Sequence, residues 1–337
     1  MPAENHGTPS LGIVAIGRNE GARLSSCLES LCATGLPVVY VDSGSSDGSA
    51  ELAGKLVESV VRLSPDRPFT AARARNEGAA RLLDRYPDLS RIQFVDGDCV
   101  LDPGWLERAS AEMDEKPGLA IVCGRRREIR PEASIYNQLC DMEWDTPVGE
   151  AASSGGDFMV RVEAFRSVEG FNSEMIAGEE PELCYRIRAA GWKIQRLPYA
   201  MTLHDADISR FSQFWLRAKR AGHAYAHGAF LHAGDGSGFR QREVRSIVVY
   251  GAALPTALLV LSLFIGPAVL PMLPLAYALL AIRVYRGRRA EGKKESRRAS
   301  WLYALSVVVG KFAQMAGVIE FHTSRRRHKA MELIEYK

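Results

Sequence analysis

The stretch IQFVDGDCVL, residues 92–101, starts as a buried strand and ends on carboxylates. Ile92, Phe94 and Val95 are apolar, and Asp96 and Asp98 stand one residue apart where the strand should stop. A turn is one reading, since Asp and Gly favour turns and Asp102, Pro103 and Gly104 follow directly. A metal site is the other. Two carboxylates at the carboxyl end of a parallel strand would face the crevice in which α/β sheets bind ligands. Hard oxygen ligands suit Mg²⁺ or Mn²⁺, which in turn hold phosphate.

The surrounding chain supports such a sheet. Ile13–Ile16, Val38–Val41, Val57–Leu63, Ile92–Val95 and Leu119–Cys123 read as strands. Helical patterns such as Arg23–Ala33 and Ala72–Leu83 lie between them. This alternation predicts an α/β fold with a mainly parallel sheet and helices on both faces. Gly-x-Gly-x-x-Gly is absent, so a dinucleotide fingerprint is not supported.

The strand ends then line up. VDSGSSDGS, residues 41–49, puts Asp42 at the carboxyl end of the second strand, as Asp96 is on the fourth. If those strands are neighbours, both carboxylates share one crevice. GRNEG, residues 17–21, brings Asn19 and Glu20 to the same edge. Asp47 reads as the N-cap of the next helix.

Charge and hydropathy divide the chain. The net charge is +3 over 337 residues. From Arg283 onward 14 Lys/Arg and 5 Asp/Glu give +9, so the rest carries −6. A basic tail on an acidic main domain disfavours a nucleic-acid role. The six cysteines show no C-x-x-C pair and no zinc spacing, and read as small buried residues in a reducing compartment. MPAENHGTPS lacks the pattern of a secretory signal, and residues 1–10 are expected to form a disordered lead.

Ile247 to Ile282 is a run of 36 residues without one charged side chain. One bilayer crossing needs about 20 apolar residues. Gly266, Pro267, Pro271 and Pro274 break the run near its middle, which predicts a transmembrane hairpin, 247–265 and 268–283, within 246–284. The basic loop after it, Arg283 to Arg298, should stay cytoplasmic, and so should the catalytic domain, 11–245. Trp301 to Phe321 is a third apolar segment, carrying Lys311 and a stripe of Ser306, Gly310, Gln314 and Gly317. Arg325, Arg326, Arg327 and Lys329 follow it, so a full crossing would break the positive-inside rule; an interfacial or re-entrant helix is expected in 285–337. Residues 209–228, with Arg210, Phe211, Phe214, Trp215, Arg217, Lys219 and Arg220, read as an interfacial helix on anionic headgroups.

GRNEGARLSSCLESL, VDSGSSDGS, ARARNEGAARL, FVDGDCVLDPGWL, GGDFMVRVEAFRSVEGFN and GEEPELCYRIRAAGW occur in that order. Together they make the chain resemble a membrane-anchored bacterial family 2 glycosyltransferase of GT-A fold, over about Leu11 to His204. The resemblance implies a divalent cation, Mn²⁺ or Mg²⁺, a nucleotide-sugar donor, with UDP foremost, and a plasma-membrane location. By the resemblance Asp42 would bind the nucleobase, Asp96 would lie near the ribose, and Asp98 would ligate the metal, with Asp96 and His204 as further candidate ligands. Asn19, Glu20, Arg75, Asn76, Gly155, Gly156, Asp157 and His204 would border the donor. The family's Glu-Asp pair stands here as Glu179-Glu180, so Glu180 takes the position of the catalytic base, with Glu182 as its alternative. The Q-x-x-R-W motif of processive members is missing: Gln213 to Arg217 has the wrong spacing and no Trp follows. The expected activity is inverting, metal-dependent transfer of single sugars to a lipid-linked or surface-glycan acceptor. Transfer to polyprenyl phosphate and an inactive membrane scaffold are the competing readings.

Overall fold

The computed structural model describes residues 10–293 and 295–327. The expected disordered lead lies almost wholly outside the described residues, as does Lys329. The chain divides into two compact units, one formed by 10–130 and 143–206, the other by 131–142 and 207–327.

In the first unit β1 (Leu11–Gly17), α1 (Ala22–Cys32), β2 (Val38–Asp42), α2 (Ser49–Leu56), β3 (Ser59–Arg62), α3 (Ala71–Arg85) and β4 (Arg91–Asp96) alternate as expected. They are followed by β5 (Cys99–Leu101), α4 (Trp105–Glu115) and β6 (Leu119–Glu128). After α5 (Ile135–Trp144), whose first residues belong to the second unit, come β7 (Gly149–Glu150), β8 (Phe158–Arg161), α6 (Val162–Ser167), α7 (Glu179–Ala189) and β9 (Lys193–His204). The sheet runs β3-β2-β1-β4-β8-β6-β9-β5, with β7 on β9. It is parallel through β3, β2, β1 and β4 and again between β6 and β9; β8, β5 and β7 join antiparallel.

β1 and β4 are buried through their length because both faces are covered, which is why they read as apolar runs. Asp42 and Asp96 are not on neighbouring strands, as the sequence suggested: β1 lies between. Its register, Gly17 opposite Asp42 and Ile16 opposite Asp96, still brings both to one edge. On β4, Phe94 packs with Phe158, Phe165 and Phe171, and the two-residue period sets Asp96 next along that face. Thr70 caps α3 by accepting from the Arg73 amide at 3.1 Å. Asp47 is not the N-cap of α2; Gly48 is, at φ +85°, and Asp47 accepts from the Ser49 and Gly21 amides at 3.0 Å each. Cys32 is exposed, against the expectation for all six cysteines, and the other five are buried.

The second unit is helical. α8 (Phe211–Leu231) is followed by α9 (Gln241–Val248), which continues through a π-turn into α10 (Leu254–Ile265), then by α11 (Met272–Ala290) and α12 (Arg297–Arg326). Among the described residues three helices, Gln241–Ile265, Pro267–Ala290 and Arg297–Arg326, are long and apolar enough to cross a membrane. Leu263 and Phe264 are about four-fifths exposed, at 82% and 81%, as a lipid-facing surface would be. α8 and α12 cross in backbone contact: a Cβ on Gly222 would lie 2.0 Å from the Gln314 carbonyl, and one on Gly317 would lie 2.0 Å from that of Lys219. Lys219 pairs with Glu320 there, and the rings of His223 and His227 lie 5.4 and 5.1 Å from Phe321.

Candidate active site

Asp42 ends β2, 3% exposed. Its Oδ2 accepts from the Gly44 and Ser45 amides at 3.1 and 2.9 Å, while Oδ1 is buried with no hydrogen-bond partner. Such an oxygen costs free energy unless something else donates to it. Asn19 instead braces the loop wall: Oδ1 accepts from the Ser46 amide at 2.8 Å, and its own amide donates to Ser45 Oγ at 2.9 Å. Glu20 faces Arg23, 3.3 Å away.

Asp96 is gripped from two sides. Arg75 Nη2 donates to Oδ1 at 2.6 Å and Arg126 Nη2 to Oδ2 at 3.1 Å. Burial alone would raise its pKa, but the two guanidinium groups hold the carboxyl well below the usual range. Arg75 also donates to Glu179 Oε1 at 2.7 Å, which ties the start of α7 to the end of β4. Asp157, fully buried, accepts from the Asp96 amide at 2.9 Å and from Thr202 Oγ1 at 2.6 Å, and pairs with Arg126 at 2.9 Å. A Cβ on Gly156 would fall 2.5 Å from Asp96 Oδ2, so this position takes glycine because the arginine–aspartate cluster fills the space. Gly155, beside it, adopts φ +87°. Asn76 spends its amide on the Phe171 backbone, donating to the carbonyl at 2.7 Å and accepting from the amide at 2.9 Å.

The pairings of β9 assemble a second cluster. Cys99 lies opposite His204 on β5, and Glu128 lies opposite it on β6. His204 Nε2 is 3.4 Å from Asp98 Oδ2, and Nδ1 is 3.9 Å from Glu128 Oε2. Trp144 covers the imidazole edge-on at 4.6 Å. Burial lowers the His204 pKa, so the ring is neutral at pH 7 and Nε2 can offer a lone pair. The ligand atoms of Asp98, Cys99 and His204 lie within 4.8 Å of one another. Burial pushes the Cys99 thiol well above its usual pKa, which leaves one oxygen and one nitrogen ligand. A carboxylate oxygen and a neutral imidazole nitrogen fit Mn²⁺ or Mg²⁺ completed by phosphate and water.

Glu180 and Glu182 differ in their surroundings. Glu180 Oε1 accepts from the Ser154 amide at 2.6 Å, from its hydroxyl at 3.0 Å and from the Cys184 thiol at 3.1 Å. Oε2 accepts no hydrogen bond among the described residues. Glu182 is 2% exposed and held by Arg186 through two bonds of 2.8 and 2.7 Å. That geometry suits an anchor for α7, since Arg186 also donates to Gly170 O at 2.7 Å.

Sequence reasoning missed Arg126, Glu128, Trp144 and Thr202. β6 was expected to end at Cys123, but it continues to Glu128 and carries Arg126 and Glu128 into the crevice. The polar run RRRE was the available signal. It reads as a loop unless a strand at the sheet's carboxyl edge is allowed to turn polar.

Residues 13–158 match the family model Glycosyl transferase family 2. The pre-mycofactocin glycosyltransferase of Mycobacterium tuberculosis is 27% identical over 201 residues, covering 56% of this chain and 41% of that protein. Glycosyltransferase AglE of Haloferax volcanii is 23% identical over 199 residues, covering 55% of this chain and 64% of that protein. The chain thus matches only about two-fifths to two-thirds of these relatives' lengths. Among solved structures, the mannosyltransferase PcManGT of Pyrobaculum calidifontis, in complex with GDP-Man and Mn²⁺, superposes with a TM-score of 0.59 at 16% identity. It covers 94% of this chain and 88% of that one, and shares the fold.

Proposed function

We propose that this chain, whose residues 13–158 belong to glycosyl transferase family 2, moves single sugars from a nucleotide-sugar donor to an acceptor at a membrane, with inversion at the sugar carbon. The observation that carries the proposal is the Asp98–His204 pair, an oxygen and a nitrogen ligand 3.4 Å apart at the carboxyl edge of the sheet. The unsatisfied Asp42 Oδ1 receives an N–H of the nucleobase. Asp98 and His204 would hold the divalent cation. Such an ion supplies positive charge where the diphosphate departs. Asp96 stays ionised and fixes Arg75 and Arg126 beside it. Glu180, oriented by Ser154, takes the proton of the attacking hydroxyl through Oε2. Attack opposite the leaving group inverts the carbon without a covalent intermediate. The GDP-Man and Mn²⁺ in the related structure support a nucleotide-sugar donor and a metal; UDP and GDP donors are both candidates.

The membrane arrangement is part of the proposal. A catalytic domain over 11–245 works in the cytoplasm, a hairpin within 246–284 anchors it in the plasma membrane, and α8 lies at the headgroups near a lipid-linked acceptor. A panel of UDP- and GDP-sugars with Mn²⁺, assayed on membranes with and without lipid acceptors, tests it. Lipid-dependent nucleotide release supports the reading; no release with any donor defeats it.

A further inference from the structure

Arg196 is a buried guanidinium with too few partners. It is 4% exposed, yet its Nε donates only to Gly124 O at 3.4 Å, and Nη1 is buried without a hydrogen bond. Its nearest carboxylate, Asp145 Oδ1, is 3.7 Å from Nη2, beyond hydrogen-bond length. The same oxygen is 3.7 Å from Arg125 Nε. A guanidinium carries five donors in a fixed fork, and burying one so sparsely paired is costly.

The position gives that cost a purpose. Arg196 and Cys123 are register partners on β9 and β6, so they share a face. Arg196 also lies opposite Gly149 on β7, and the chain that leaves β7 reaches Ser154, the residue that holds Glu180. Asp145 is 37% exposed on its side chain, on the loop after Trp144. We infer that Arg196 and Arg125 form an anion subsite on the acceptor side of the crevice, held in this structure by the Asp145 carboxylate and filled by a phosphate that the acceptor carries. A tetrahedral oxyanion can bridge two guanidinium groups and satisfy the unmet donors of Arg196, which one carboxylate at 3.7 Å does not. The inference rests on the proposed assignment of Glu180 to the acceptor side.

The test reads binding, not turnover. The full chain in phosphatidylcholine nanodiscs, with EDTA present, is titrated with inorganic phosphate; a second set of nanodiscs contains dioleoyl phosphatidic acid. Thermal midpoints are followed for wild type, R196Q and D145A. At least one probe should stabilise the wild type. R196Q should weaken that response roughly tenfold or more, as loss of charge-assisted hydrogen bonds implies. D145A should strengthen it, because the internal carboxylate no longer competes. A response to phosphate alone assigns a soluble acceptor, and one to phosphatidic acid alone assigns a lipid headgroup. If neither probe acts on the wild type, or R196Q responds as the wild type does, the subsite is wrong. Should R196Q not fold, D145A decides alone: an unchanged response overturns the inference. An intact response in a protein that transfers no sugar would count against the transferase reading only.

Discussion

Asp98 Oδ2 and His204 Nε2 lie 3.4 Å apart, one from the turn after β4 and the other from the last residue of β9. Residues 106 positions apart in sequence meet because β5 pairs antiparallel with the end of β9. Asp98 lies in the turn beyond β4, outside the apolar core of the sheet. Asp98→Ala should therefore leave the thermal midpoint within a few degrees of wild type and reduce transfer by about 10²-fold or more. EDTA should reproduce the loss, and Mn²⁺ should reverse it in the wild type alone. Full activity in EDTA would remove the metal from the mechanism.

His204 gives a pH prediction. Burial lowers its pKa in the fold below the ordinary imidazole value of about 6.5. The unfolded chain therefore binds the extra proton first, and stability rises with pH in the window below about 6.5. His204→Gln should flatten that part of the curve. The comparison is midpoint against pH for both proteins, since the His223 pKa is also lowered, to about 4, and adds its own slope. Parallel curves would mean that His204 does not titrate as its burial implies.

Glu180→Gln should bind nucleotide normally and lose turnover by about 10²–10⁴-fold, because the amide keeps the size and cannot take a proton. Glu182→Gln should act differently. It breaks a buried bidentate pair with Arg186, so the expected change is a lower thermal midpoint with turnover retained at low temperature. Measuring nucleotide affinity, turnover and midpoint on both variants separates the roles. A stable but inactive E182Q beside an active E180Q would move the base.

Arg126→Met should be among the most damaging changes in the first unit. It strands Asp157, which is wholly buried, and removes one of the two guanidinium groups on Asp96. Removing one partner of such a pair costs about 3–5 kcal/mol. Chemical denaturation should report it, with Arg126→Lys recovering part of the loss. A midpoint near wild type would mean that Asp157 is satisfied by Thr202 and the Asp96 amide alone.

The difference between what the sequence disclosed and what it hid follows from the range of the interactions. Asp42 and Asp96 were legible because local order alone puts them at strand ends, each after an apolar run, and Asp98 follows two residues later. The role of Asn19 and Asn76 was not, since each is consumed by backbone more than twenty residues away, Ser46 for one and Phe171 for the other. Arg126 was hidden by the length of β6, and β1 was not foreseen between the two acidic strands because strand order is a long-range property. The acidic pair Glu179-Glu180 looked like one unit. Folded, its first member serves Arg75 and its second faces Ser154.

By length and composition Arg297–Arg326 could cross a membrane, and so could the two helices before it. Three crossings would put Arg325, Arg326 and Arg327 on the side opposite the basic loop, against the positive-inside rule. Packing argues the same way. α12 is in backbone contact with α8 at Gln314 and Gly317, and Lys219 of α8 pairs with Glu320. α8 also carries Arg217 and Arg220, with Arg210 at its N-cap, and is not apolar enough to cross. A spanning α12 would draw those charges toward hydrocarbon, at about 2.5–3.5 kcal/mol each near the bilayer centre on insertion scales. An α12 lying at the interface leaves them among headgroups and keeps Lys311 within reach of water. Single cysteines replacing Ser296 and Ser324 should therefore both resist a membrane-impermeant thiol reagent added to intact cells, and both should react after lysis. Labelling at Ser324 alone would make α12 a third span, and labelling at Ser296 would overturn the hairpin itself.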